Sequence, residues 1–250
     1  MADIFFSGPE GRIEARFHRA EDPTAPIAII LHPHPLYGGT MNNKVVYSLY
    51  HRFLENGFSV LRFNFRGVGK SLGKYDNGIG ELADAAAALD WVQLQAPDAR
   101  SCWICGFSFG AWIALQLMMR RPEIQGFVAV SPPANMYDFS FLTPCPASGL
   151  ITQGDMDSVV PEEVVANMAR QLNKQRGVEV EYKMIGGADH YYRTKLDELM
   201  DVVDEYIEEK LENTLYKRPT KPDRKRRSKM AIEAEEAMMD DMEDEEYEVA

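Results

Sequence analysis

Ser108, His190 and an aspartate between them could together carry out acyl transfer. Ser108 is centred in Gly106-Phe-Ser-Phe-Gly110. The apolar run Cys102-Trp-Ile-Cys105 precedes it and the apolar helical pattern Ala111–Met119 follows. A serine on such a strand-to-helix turn sits in a strained conformation that projects its hydroxyl. Strand and helix cross closely two residues to either side, and glycine at both flanks removes the clash a side chain would cause. The helix N-terminus points amide hydrogens toward the same spot.

A free hydroxyl is a weak nucleophile and needs a base oriented by a third group. His190 is the only histidine after Ser108, and it lies in Gly186-Gly-Ala-Asp-His190, directly after a strand pattern. In the chain order serine, acid, histidine, the acid belongs in Gly154-Asp155-Met-Asp157-Ser-Val-Val-Pro161. Asp155 and Asp157 both qualify by position. Asp157, deeper in the loop, is favoured, and the other is expected to bond loop amides. Asp189 adjoins the histidine and is expected to point away from it.

Negative charge that develops on a substrate carbonyl oxygen needs preorganised donors. One is expected from the N–H of Phe109, the residue after the serine. The other should come from the loop His32-Pro-His-Pro-Leu36-Tyr37-Gly-Gly39. Pro33 and Pro35 have no N–H to give. That leaves His34, Leu36, Tyr37 or a glycine; Leu36 is chosen, with Tyr37 second.

Three other patterns could carry chemistry. His32 and His34 could face one way at a strand end as a metal pair, but no further ligands with recognisable spacing accompany them, and catalytic zinc wants three. Their expected role is to hold the loop through ring hydrogen bonds. Gly69-Lys70-Ser71 resembles the end of a phosphate loop, yet Asn64 stands where that motif needs glycine. Cys102 and Cys105 lie three apart in one strand, so they face opposite sides of a sheet and cannot readily chelate or bridge. They read as small buried apolar residues. No metal and no cofactor is called for.

The elements that must position these groups alternate. Ile4–Phe6 and Arg12–Phe17 flank a Gly-Pro-Glu-Gly turn and read as a hairpin. Strand patterns follow at Ile27–Leu31, Phe58–Phe65, Cys102–Cys105, Phe127–Val130, Gly149–Thr152 and Val178–Ile185. Helical patterns lie at Val45–Leu54, Glu81–Leu94, Ala111–Met119, Pro161–Leu172 and Lys195–Leu211. This predicts an α/β fold: a mostly parallel sheet with helices on both faces and an antiparallel N-terminal edge. In such sheets chemistry sits at the carboxyl ends of the strands.

The chain has 250 residues, 45% apolar and 26% charged, which suits a globular protein and excludes collagen-like or wholly disordered classes. No apolar stretch is long enough to span a bilayer as a helix. Three cysteines do not make a disulfide framework. Met1-Ala-Asp-Ile-Phe-Phe lacks the features of a signal peptide, so a cytoplasmic protein is expected.

Charge separates the end from the body. Of the net −12, residues 217–230 hold +7 and residues 231–250 hold −10, leaving −9 for residues 1–216. The expected organisation is a domain over 1–213 and a charged, disordered tail over 214–250. The tail's basic and acidic blocks could contact an anionic or a basic partner.

Together these residues resemble the α/β-hydrolase superfamily over roughly residues 1–212. Phe63-Asn-Phe-Arg-Gly-Val-Gly-Lys-Ser71 is similar to a turn many members carry after an early strand. The loop His32–Gly39 is similar to that of compact, lidless bacterial serine hydrolases related to dienelactone hydrolase. In that group the acid lies three residues after the loop glycine, which matches Asp157. Dienelactone hydrolase uses a cysteine nucleophile, so serine here argues against that activity. Lids usually insert between the strand ending near Ser131 and the one starting near Gly149, and the roughly 17 residues there are too few for a helical cap. The resemblance implies an α/β-hydrolase fold without a lid and an open site for a short-chain ester or thioester. The alternative is a hydrolase scaffold that acts as an interaction protein through its charged tail.

Overall fold

The computed structural model describes residues 4–216, with side chains through residue 212. Residues 1–208 form one compact unit. A second unit begins at Glu209 and is described to Tyr216, where it is helical. The charged tail beyond Tyr216 lies outside the described residues. Among the described residues no helix is long and apolar enough to cross a membrane.

The hairpin appears as β1 (Ile4–Gly8) and β2 (Gly11–His18). Then follow β3 (Ile27–Leu31), α1 (Lys44–Glu55), β4 (Ser59–Phe63), α2 (Ile79–Gln95), β5 (Cys102–Phe107) and α3 (Phe109–Met118). The rest comprises β6 (Ile124–Val130), β7 (Ser148–Gly154), α4 (Glu162–Leu172), β8 (Val180–Ile185) and α5 (Leu196–Tyr216). The eight strands order as β1-β2-β4-β3-β5-β6-β7-β8. β2 pairs antiparallel with β1 and β4, and every other pairing is parallel.

Hydrophobic pattern explains the layering. Every residue of β3, β4 and β5 is buried, as strands covered on both faces require. α1 buries one stripe, Val45, Val46, Leu49, Tyr50 and Phe53, and leaves the opposite face wet. α3 is buried nearly all round, because it packs under the sheet's centre. Two expected boundaries move for local reasons. β4 stops at Phe63, since the amides of Asn64 and Phe65 turn to Glu14 and to the His32 ring. Pro161 is the cap before α4, with ψ 133°, and Glu162 opens the helix.

Seventeen residues, 131–147, join β6 to β7, and a single 3-10 turn at Ser140–Leu142 is their regular structure. The turn after β4 is tied to α2 by a buried ion pair. The Arg66 guanidinium meets Asp84 through two bonds of 2.8 and 3.0 Å, and the Arg66 amide adds a third at 3.0 Å. Both side chains are buried. Asp84→Ala would strand a buried cation, so urea unfolding should show a loss of about 3–5 kcal/mol. Removing the exposed pair Arg100–Asp22 should move the same curve by less than about 1 kcal/mol.

Candidate active site

Ser108 sits between β5 and α3 with φ 54° and ψ −121°, a left-handed conformation that non-glycine residues seldom adopt. The glycine spacing has the meaning the sequence suggested. A Cβ on Gly106 would lie 2.3 Å from the Gly110 carbonyl oxygen, and one on Gly110 would lie 2.4 Å from that of Leu31. The crossing of β5, α3 and β3 therefore admits no side chain at either position. The Ser108 amide donates to the Val130 carbonyl at 2.8 Å, which fixes the elbow to the end of β6. Phe109 opens α3, so its N–H has no acceptor within the helix.

Ser108, His190 and Asp157 come together in one hydrogen-bonded line. Nε2 of His190 lies 3.1 Å from the Ser108 Oγ, and Nδ1 lies 2.7 Å from Oδ2 of Asp157. The carboxylate only accepts, so Nδ1 carries the proton and Nε2 presents a lone pair to the serine. Asp157 is itself held. Its Oδ1 accepts from the amides of Val159 and Val160, and Oδ2 also accepts from the Gln153 amide, all at 2.8 Å. Burial pushes the Asp157 carboxyl up, but the His190 contact and these amides outweigh it and hold the group below the ordinary carboxylate range. Asp155 instead accepts from the Gly187 amide at 2.6 Å. Asp189 turns to Arg193. Gln153 is not singled out by the sequence; its one signal is a polar residue following Thr152 at the C-terminal end of a buried strand.

The loop after β3 departs from expectation at one residue. Leu36 does not present a spare donor: its N–H is spent on Nδ1 of His34 at 3.2 Å. The amides of Tyr37 and Gly39 both donate to the His34 carbonyl at 3.1 Å. The short turn Pro35–Tyr37 closes the loop on the His34 ring and carbonyl and leaves the Leu36 side chain exposed. Among the described residues the His34 N–H has no acceptor, and His34 lines the cleft beside Ser108 and Phe109.

The two histidines hold this loop. The Phe65 amide donates to Nε2 of His32 at 3.0 Å, so Nδ1–H donates to the Pro33 carbonyl at 2.6 Å. In His34, Nδ1 accepts from Leu36, so Nε2–H donates to the Tyr75 hydroxyl at 3.1 Å. All four ring nitrogens are engaged, which leaves no lone pair pointed at a shared metal. Gly69-Lys70-Ser71 folds back on the protein: the Lys70 amide donates to Glu14, and Ser71 bonds both Glu14 and Asn64. Cys102 and Cys105 are buried free thiols, pushed up by burial, Cys102 to about 12.

The cleft over Ser108 has a volume of about 490 Å³. Tyr37, Phe109, Met136, Tyr137, Val159 and Tyr191 form its apolar walls. Tyr37 is 83% exposed and Met136 55% exposed, so the mouth is open to water.

Residues 11–246 match the family described as X-Pro dipeptidyl-peptidase (S15 family). The chain belongs to this family. An uncharacterized protein of Rickettsia prowazekii, RP471, is 56% identical over 211 residues, 83% of this chain and 89% of that protein. A putative α/β hydrolase from Agrobacterium tumefaciens, of unknown function, is 52% identical with a TM-score of 0.83, covering 85% of this chain and 97% of its own. An α/β serine hydrolase without a lid from Xanthomonas campestris is 32% identical with a TM-score of 0.75, covering 83% and 94%. This S15 member thus has the α/β-hydrolase fold in its lidless form, within a serine-hydrolase family.

Burial lowers the His32 pKa from 6.5 to about 4. The folded protein thus refuses a proton that the unfolded chain accepts between those values. The resulting stability is complete above pH 6.5 and is lost as pH falls through 4, on the order of 3 kcal/mol in all. Urea unfolding across pH 4–7 should therefore be less steeply pH-dependent in His32→Asn than in the native protein.

Proposed function

We propose that this S15-family protein is a serine hydrolase that cleaves a carboxylic ester or thioester with a short acyl group through an acyl-enzyme. The observation that carries the reading is the continuous Ser108–His190–Asp157 line opening on an uncharged cleft. Ser108 Oγ attacks the carbonyl while Nε2 of His190 takes its proton. His190 then returns that proton to the leaving oxygen or sulfur, and the process repeats with water. Asp157 holds the ring in the accepting tautomer and stabilises its charged form. The N–H groups of Phe109 and His34 receive the developing oxyanion. His34 takes the place that sequence reasoning gave to Leu36.

An open mouth suits a compact acyl group better than a long chain that needs full removal from water. Cleavage of X-Pro dipeptides is less well supported, because release of a dipeptide calls for a counter-charge to its free amine. The cleft lining holds no Asp or Glu among the described residues. The scaffold reading, in which the charged tail recruits a partner, is separated from hydrolysis by the same labelling experiment.

A fluorophosphonate probe should label the native protein to one equivalent and fail on Ser108→Ala. With p-nitrophenyl acetate, Ser108→Ala should lose at least about 10⁴-fold in kcat, and Asp157→Asn about 10⁴-fold, since the amide can leave the ring in the wrong tautomer. Rates should fall from acetyl and butyryl toward decanoyl esters. A native protein that resists the probe would sink the reading.

A further inference from the structure

The His190 loop carries a second buried side chain that the hydrolysis scheme does not use. Tyr192 lies two residues after the histidine and is 1% exposed. Its hydroxyl shares a hydrogen bond of 3.0 Å with that of Ser131, wholly buried in the first position beyond β6. Burial pushes the phenol up to about 12, so the hydroxyl keeps its proton at neutral pH. Tyr192 does not line the cleft.

Two features distinguish this contact from ordinary packing. First, both residues are non-glycine and left-handed, Ser131 with φ 45° and Tyr192 with φ 52°. Such a residue persists only where its surroundings over-determine it. Ser131 is held by its amide on the Thr152 carbonyl at 2.9 Å, and Tyr192 by its amide on the Asp189 carbonyl at 3.0 Å. Second, the contact shares its reference point with the nucleophile. Val130 accepts the Ser108 amide, and the next residue, Ser131, holds the loop of the base. Consecutive residues at the end of β6 thus register both partners of the Ser108–His190 bond.

We infer that Tyr192, through Ser131, is a positioning residue that sets the approach of His190 Nε2 to Ser108 Oγ. The inference rests on the proposed hydrolysis. Without the phenolic hydroxyl, the Ser131 hydroxyl is left buried and unpaired, and the loop loses its tie across the sheet end. The base then swings relative to the nucleophile, while the walls that other loops supply, Tyr37, Phe109, Met136, Tyr137 and Val159, stay in place. Proton transfer suffers and substrate binding does not.

The test uses full-length Tyr192→Phe, Ser131→Ala and the double variant, with active sites counted by exhaustive fluorophosphonate labelling. Each single change should lower kcat per site for p-nitrophenyl acetate, and the labelling rate constant, roughly 10- to 100-fold, the effect expected of a displacement near 1 Å. KM should move less than about twofold, and the double variant should be no worse than Tyr192→Phe by more than about twofold, because the phenol change already removes the contact that Ser131→Ala removes. Lower thermal stability with kcat per site within about twofold of native would overturn the inference, as would additive losses. If Tyr192→Phe fails to fold, Ser131→Ala carries the same comparison; failure of both would assign the pair to the fold alone and overturn it too. A native protein that the probe does not label would count against the hydrolase reading instead, so the two failures are told apart.

Discussion

At the crossing of β5 and α3, backbone meets backbone so closely that a single methyl group at position 106 or 110 would lie within 2.4 Å of a carbonyl oxygen. That approach forces Ser108 into a left-handed conformation and turns its hydroxyl out of the sheet. It also aims the first amides of α3 at the space above the hydroxyl. A wider crossing would leave the same residues in the sequence and remove the geometry between them. The energetic debit of the strained serine is carried by a core in which α3 is buried along nearly its whole length.

From that crossing the site is assembled by short-range polar contacts around the ends of five strands. β3 supplies the loop of His32 and His34, β6 anchors the serine amide, β7 delivers Asp157, and β8 leads to His190. Each contributor is held by something else. Gln153 and two amides hold the carboxylate, and His32 holds the loop through Phe65 and Pro33. The buried groups in these chains that bond one another are satisfied as a low-dielectric interior demands, with Gln153 Oε1 left unpartnered among the described residues. A neutral His32 follows from its full burial, which disfavours the charged ring.

What the sequence made legible was whatever depends on periodicity, chain order or glycine. The eight strands, the antiparallel edge and the serine elbow fall into that class. Order along the chain also pointed to His190 and to the 155–157 loop, and depth in that loop favoured Asp157 over Asp155. What stayed hidden were choices made by side-chain rings closing on their own backbone. Leu36 looked available because nothing in its type says that its amide will bond the ring two residues earlier. Gln153, and the Ser131–Tyr192 contact across 61 residues, depend on which strand ends meet, which only the sheet order reveals. Pro161 behaved likewise: its fixed φ suits both the first helical position and the one before it.

The connection between β6 and β7 is only 17 residues long and forms no roof over Ser108. The cleft above the half-buried Ser108 therefore opens on solvent through its exposed rim. Under the proposed hydrolysis, an acyl group held on Ser108 would then be released by water in preference to a scarcer alcohol or amine. The same brevity leaves the mouth of the cleft uncovered by this connection among the described residues, with Tyr37 and Met136 exposed at its rim.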